Sequence, residues 1–147
     1  MTSRASFALL VSLLLVAALQ ADPASRMLMY TYQSEGMLAS ISFVDLPSGP
    51  VCHIDDGRIG SASLKVRDFA VSKQEFDHIW TVVTSNEIRP FERRTDSPSA
   101  TAEALNNYVF TTGEIPHGEA KLFVVSKDHA PKSVSQLVRE IRAYNRD

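Results

Sequence analysis

Between Val71 and Val83 the chain reads V-S-K-Q-E-F-D-H-I-W-T-V-V, with apolar residues at Phe76, Ile79, Trp80 and Val83. That i, i+3, i+4, i+7 spacing makes one apolar face of a helix. Ser72 followed three residues later by Glu75 is a capping box, and Val71 with Phe76 occupies the two positions of a hydrophobic staple. The pattern predicts a helix from Ser72 to about Ser85. A second stripe, Val134, Leu137, Val138, Ile141 and Tyr144, predicts a last helix starting at Pro131 or Ser133. Pro131 suits a first helical position. Ser133 with Gln136 offers a second capping box. Arg139, Arg142 and Arg146 lie toward the end of that helix, where its dipole favours cations.

Elsewhere the apolar period is two. Met27 to Gln33 is rich in β-formers and predicts a strand. Ser34-Glu35-Gly36 is a turn, and Met37 to Leu46 predicts the partner strand, with Ala39, Ile41 and Phe43 on one face and serines opposite. Pro47-Ser48-Gly49-Pro50 is a turn cluster. Val51 to Ile54 predicts a short strand, Asp55-Asp56-Gly57-Arg58 a tight hairpin, and Ile59 to Phe69 the return strand. In that return strand Ala62, Leu64 and Val66 are expected to be buried, and Gly60 to mark a bulge. Ile88 and Phe91 are expected to tuck onto the core. The segment 92–103 has no large apolar residue and reads as an exposed loop. Leu105 to Thr112 and Ala120 to Ser126, joined through Gly113 to Gly118, are apolar on both faces and are expected to be central strands. The order is ββββαββα. Hairpins outnumber crossovers, which predicts an α+β domain: an antiparallel sheet with two amphipathic helices on one face.

The first residues change where this domain is expected to work. Arg4 is followed by an apolar run from Phe7 to Leu19, broken only by Ser12, and by small residues at Ala17, Ala18 and Ala21. That order describes a cleaved secretory signal peptide at 1–21, with a cut after Ala18 as the alternative. The run is short of the roughly 20 apolar residues that span a bilayer. A secreted or periplasmic single domain at 22–147 follows, with no transmembrane segment after cleavage. The 147 residues carry 15 basic and 17 acidic side chains; without Arg4 the balance is 14 to 17, or −3. A nucleic-acid partner is therefore not expected, since such partners require a basic surface.

Candidate chemistry is sparse. Cys52 is the single cysteine, so no internal disulfide can form. Three roles are open to it: a buried apolar filler, a thiol nucleophile, or a bridge between two chains. His53 adjoins it, but neighbours in a strand point to opposite faces, so His53 is not expected to be its base. His53, Asp55 and Asp56 are close in sequence, yet no metal-site spacing is matched, and the acidic pair is better read as turn chemistry. Asp77 and His78 lie off the apolar stripe of the first helix and are expected to be solvated. His117 and His129 are expected on exposed loops, where either can titrate near neutrality. Arg93 and Arg94 form a small basic spot read as loop solvation. No nucleophile elbow, phosphate loop or dinucleotide fingerprint occurs in the chain, and no catalytic residue, cofactor or metal ligand is assigned.

The stretch Val71-Ser72-Lys73-Gln74-Glu75-Phe76-Asp77-His78-Ile79-Trp80, set between early hairpins and a terminal hairpin and helix, resembles small secreted bacterial proteins of unknown function. The resemblance implies the α+β build and secretion, and carries over no catalytic residue. The expected function is a non-enzymatic binding, inhibitor-like or accessory module for another extracytoplasmic protein, with binding in the loops 92–103 and 113–118. The alternatives are a small hydrolase using Cys52 or a His/Asp cluster, and a structural dimer bridged through Cys52.

Overall fold

A computed structural model of the protein describes residues 25–93, 104–115 and 118–145. Seven strands form one sheet: β1 (Ser25–Ser34), β2 (Met37–Leu46), β3 (Gly49–Arg58), β4 (Lys65–Ala70), β5 (Glu92–Arg93), β6 (Asn107–Ile115) and β7 (Lys121–Ser126). Helix α1 (Lys73–Val83) lies between β4 and β5, and helix α2 (Lys132–Ala143) follows β7. The spatial order is β4-β3-β2-β1-β6-β7-β5, and every neighbouring pair is antiparallel. The α+β class is as the sequence predicts. The element order gains one short strand, β5, from the segment read as loop.

Local chemistry explains the first hairpin. Ser34 pairs with Met37 across a two-residue turn in which Glu35 (φ 49°) and Gly36 (φ 77°) both take positive φ. A turn of that hand matches the twist of the flanking strands. The second hairpin departs from expectation. Asp55, Asp56 and Gly57 are not a turn but the end of β3, paired with Ser40, Ala39 and Leu38. The full length of β2 holds β3 extended, down to the pair Met37–Arg58. The reversal falls later, where the Ser61 amide donates to the Arg58 carbonyl and Gly60 takes φ 85°. Gly60 is thus the turn glycine and not a bulge. Gly57 meets a different need, since a Cβ there would stand 2.7 Å from Leu64 Cδ2.

Strand β4 is the sheet edge, so its alternation does not bury a face. The return strand begins only at Lys65, not at Ile59, so Ala62 and Leu64 lie in the connection before it; Ala62 is exposed and Val66 is 45% exposed, contrary to the sequence reading, while Phe69 is 40% exposed. Lys65, Arg67 and Asp68 blunt that edge. At the centre stands β1, between β2 and β6. Of the two strands expected to be central, β6 is interior, but β7 has only the two residues of β5 beyond it.

The register sorts the side chains into two faces. Leu28, Tyr30, Ile41, Phe43, Cys52, Ile54, Phe110, Phe123 and Val125 share one face and form one buried cluster with Phe76, Ile79 and Val83 of α1 and Val134, Leu137, Val138 and Ile141 of α2. Both helices therefore pack on the same side. Ile88 is fully buried there and Phe91 packs against it, as predicted. The opposite face buries Val109, Leu122 and Val124 with Ala104, and a row of small polar residues, Thr31, Ser40 and Ser42. Among the described residues no helix is long and apolar enough to cross a membrane.

The capping box of α1 is complete: the Glu75 amide donates to Ser72 Oγ at 3.2 Å, and the Ser72 amide donates to Glu75 Oε2 at 2.9 Å. The second predicted box does not form. Pro131 holds the cap position of α2, the Ser133 hydroxyl donates to Glu87, and Gln136 donates to Glu140. The two serines should separate in urea unfolding at pH 7. Ser72→Ala is expected to cost about 1 kcal/mol, and Ser133→Ala no more than about 0.5 kcal/mol, as for a surface substitution.

Candidate functional site

Cys52 and His53 are adjacent in β3 and point to opposite faces of the sheet. Cys52 is fully buried on the helix side, paired across the ladder with Phe43 and Phe69. Burial, with a smaller effect from Asp68, pushes its thiol up to about 12. The group stays a neutral thiol and packs as an apolar filler. It has no solvent-facing surface through which to attack a substrate or bridge a second chain.

His53 lies on the other face between two carboxylates. Its Nε2 is 3.1 Å from Asp55 Oδ1 and its Nδ1 is 2.5 Å from Asp68 Oδ1. Asp55 follows it by two residues in β3, and Asp68 is its cross-strand partner in β4. The hydrogen bond to Asp55, then that to Asp68, raises His53 to about 9 against the opposing effect of burial. At neutral pH the ring is an imidazolium that donates from both nitrogens. It cannot serve as a base there, because neither nitrogen has a free lone pair. Its evident work is to neutralise buried Asp55 and to fasten the edge strand. Asp56, on the helix face, accepts from Arg67 at 3.0 Å. Among the described residues no group of three or more His, Cys, Asp or Glu is placed to hold a metal ion.

A concave feature with convergent polar groups lies between the helices. α1 and α2 run antiparallel: Tyr144 meets Glu75, Glu140 meets His78, and Ser133 meets Glu87. Between them opens a groove of about 420 Å³ lined by Glu75, His78, Ile79, Glu140, Ala143 and Tyr144. Ile79 is buried at its floor, and Ala143 is exposed. Each wall holds a fixed carboxylate. Glu75 accepts from the Ser72 hydroxyl at 2.6 Å, from the Ser72 amide and from Tyr144 OH at 3.2 Å. Those bonds, the Ser72 hydroxyl first, hold its carboxyl below the usual range. Glu140 accepts from Gln136 at 3.0 Å and pairs with His78 Nε2 at 3.0 Å. Burial and then Glu75 push the Tyr144 phenol up to about 12, so it stays a donor.

His78 is exposed to solvent, as expected, and also pairs across the helices with Glu140 and lines the groove. Asp77 is engaged as well, accepting from Arg26 at 2.8 Å and from Lys73 at 3.0 Å. Arg26 also donates to Asp45 at 2.7 Å and stacks over Phe76 and Trp80, 4.9 and 5.5 Å from their ring centroids. His129 is exposed in the turn before α2. Arg93 sits in β5. His117, Arg94 and most of the loop 92–103 lie outside the described residues. Reading along the chain missed the groove because Glu75 already had a role as a cap and Glu140 lies 62 residues beyond His78. The available signal was two matching spacings, Glu75/His78/Ile79 and Glu140/Ala143/Tyr144. No protein-family model matches the chain, and neither does any curated protein.

The His53 arrangement makes stability depend on pH with a fixed sign. Its folded value, about 9, lies above the 6.5 of an unperturbed ring. The contribution is therefore complete below about 6.5 and fades as pH rises through 9. The unfolding free energy from urea titrations is expected to fall across that window by an amount of order 2 kcal/mol, less than the full linkage value because Asp68 is exposed to solvent. His53→Gln should flatten the slope. The gentler Asp68→Asn should move the loss toward neutral pH, and an unchanged profile in both would refute the assignment.

Proposed function

We propose that the protein is a secreted or periplasmic binding module, inhibitor-like or accessory in role, that engages another extracytoplasmic protein without catalytic chemistry of its own. The observation that carries this reading is the groove between α1 and α2. It is concave, exposed, floored by apolar side chains and walled by carboxylates already fixed by hydrogen bonds. A surface whose polar groups are held before contact loses little side-chain entropy on binding. The signal-peptide pattern of residues 1–21 supports the compartment. The likeness to small secreted bacterial proteins is of the same kind, although cap, staple and core packing already account for Val71, Ser72, Glu75, Phe76, Ile79 and Trp80 within it.

Site-specific photo-crosslinking tests the reading in the cells that make the protein. A benzoylphenylalanine at Ala143, in the groove, is expected to give a discrete adduct in the extracytoplasmic fraction. The same group at Ala62, in the exposed connection between β3 and β4, should give none. The mature chain in that fraction should have the mass of a polypeptide beginning at Asp22. Retention in the cytoplasm, or equal adducts at the two positions, would count against the proposal.

A further inference from the structure

We infer that the groove between α1 and α2 receives a cationic side chain, arginine or lysine, flanked by an aliphatic one, on a peptide segment of a partner protein. The inference rests on the reading of the protein as a binding module and names the chemistry of its partner.

Charge complementarity selects the occupant. Two carboxylates, Glu75 and Glu140, face the groove from opposite helices, and no lysine or arginine is among its lining residues. Two of the neighbouring cations are committed elsewhere. Arg142 stacks over the Tyr32 ring at 4.7 Å, and Lys73 is bound to Asp45 and Asp77. The last turn of α2 ends at the groove beside Ala143 and Tyr144, opposite the amide end of α1 at Glu75, so the two helix dipoles offset and the carboxylates set the sign of the groove. An anionic segment would meet repulsion from both carboxylates.

The acceptors have capacity to spare. Glu140 receives one donor on each oxygen, from Gln136 and His78. Glu75 receives one on Oε1 and two on Oε2. An ionised carboxylate has about four acceptor positions, so each can take a further charge-assisted bond without surrendering those that fix it. The floor asks for something different. Ile79, Ala143 and the Tyr144 ring present carbon, which suits an aliphatic neighbour or the methylene stem of the cation itself. Tyr144 is also braced from below, edge-on to Phe43 with ring centroids 5.2 Å apart, so the floor does not have to form on binding.

Amide chemical-shift titration of the full mature chain reads this directly. The probes are acetyl-Gly-Leu-Arg-Leu-Gly-amide and its counterpart with Glu in place of Arg. The arginine peptide is expected to shift His78, Ile79 and Ala143 saturably, and the glutamate peptide to leave them unmoved. Glu75→Gln with Glu140→Gln should weaken the arginine peptide about tenfold, as expected from losing charge-assisted bonds. Gln at the third helical position keeps the capping box, so that variant should fold. Equal shifts from both peptides, full binding by the double variant, or shifts that grow with protein concentration before any peptide is added (a second copy in the groove) would each overturn the proposal. A crosslink at Ala143 with no response to the arginine peptide would sink the partner class and leave the binding module standing. Silence in both would remove the underlying reading.

Discussion

The pairing of β1 with β2 on one side and β6 on the other is the constraint on which the molecule depends. β1 is the first strand described and the middle strand of the sheet. Its ladder to β2 closes over a two-residue turn, whereas its ladder to β6 joins Tyr30 to Phe110, eighty residues away. Everything else hangs from those two ladders. β2, β3 and β4 extend the sheet one way as a meander, and β6 and β7 extend it the other way. The helix-side row Leu28, Tyr30, Ile41, Phe43 and Phe110 exists only when both ladders are in register, and a slip of one residue would turn that row away from the helices. Local closure is entropically cheap and distant closure slower. The meander can therefore form early, with β6, β7 and α2 completing the core.

Arg26 extends this dependence to α1. It leaves β1 on the helix side, lies over Phe76 and Trp80, and joins Asp45 of β2 to Asp77 of α1. Such a partly exposed bridge contributes little energy by itself. Its value lies in direction, since it fixes α1 along the sheet while burial of Phe76, Ile79 and Val83 supplies the free energy, about 1.5–3 kcal/mol for each large side chain. With α1 placed, α2 has one antiparallel position beside it, and the groove is the gap their facing side chains leave.

What could be read from the sequence divides along this line. α1 was fully legible, because cap, staple and stripe are written within thirteen residues and the core simply uses them. The apolar face of α2 was legible for the same reason. Ser133 misled because a cap signature competes with any nearby acceptor, and Glu87 lies within reach across the helix pair. The β3–β4 reversal offered two glycines, Gly57 and Gly60, and only the partner strand decides between them. The alternation of Ala62, Leu64 and Val66 looked like a half-buried strand, but Ala62 and Leu64 precede β4, and Val66, paired with Asp55, lies on the face away from the helices. The groove was the least legible part. Its carboxylates, Glu75 and Glu140, lie sixty-five residues apart, and each has a sufficient local explanation.

Cys52 carries a consequence of a different kind. A lone thiol in the centre of the helix-side core, fully covered and held protonated, is a natural reporter of opening. Its alkylation must wait for the sheet and the helices to part, so the labelling rate measures how often the core exchanges with solvent. Because Cys52 lies beside Phe43 in the ladder, and the Phe43 ring meets Tyr144 edge-on, the same rate would register any loosening of the helix pair above them. A single atom thus gives access to the breathing of the whole domain, without any engineered probe.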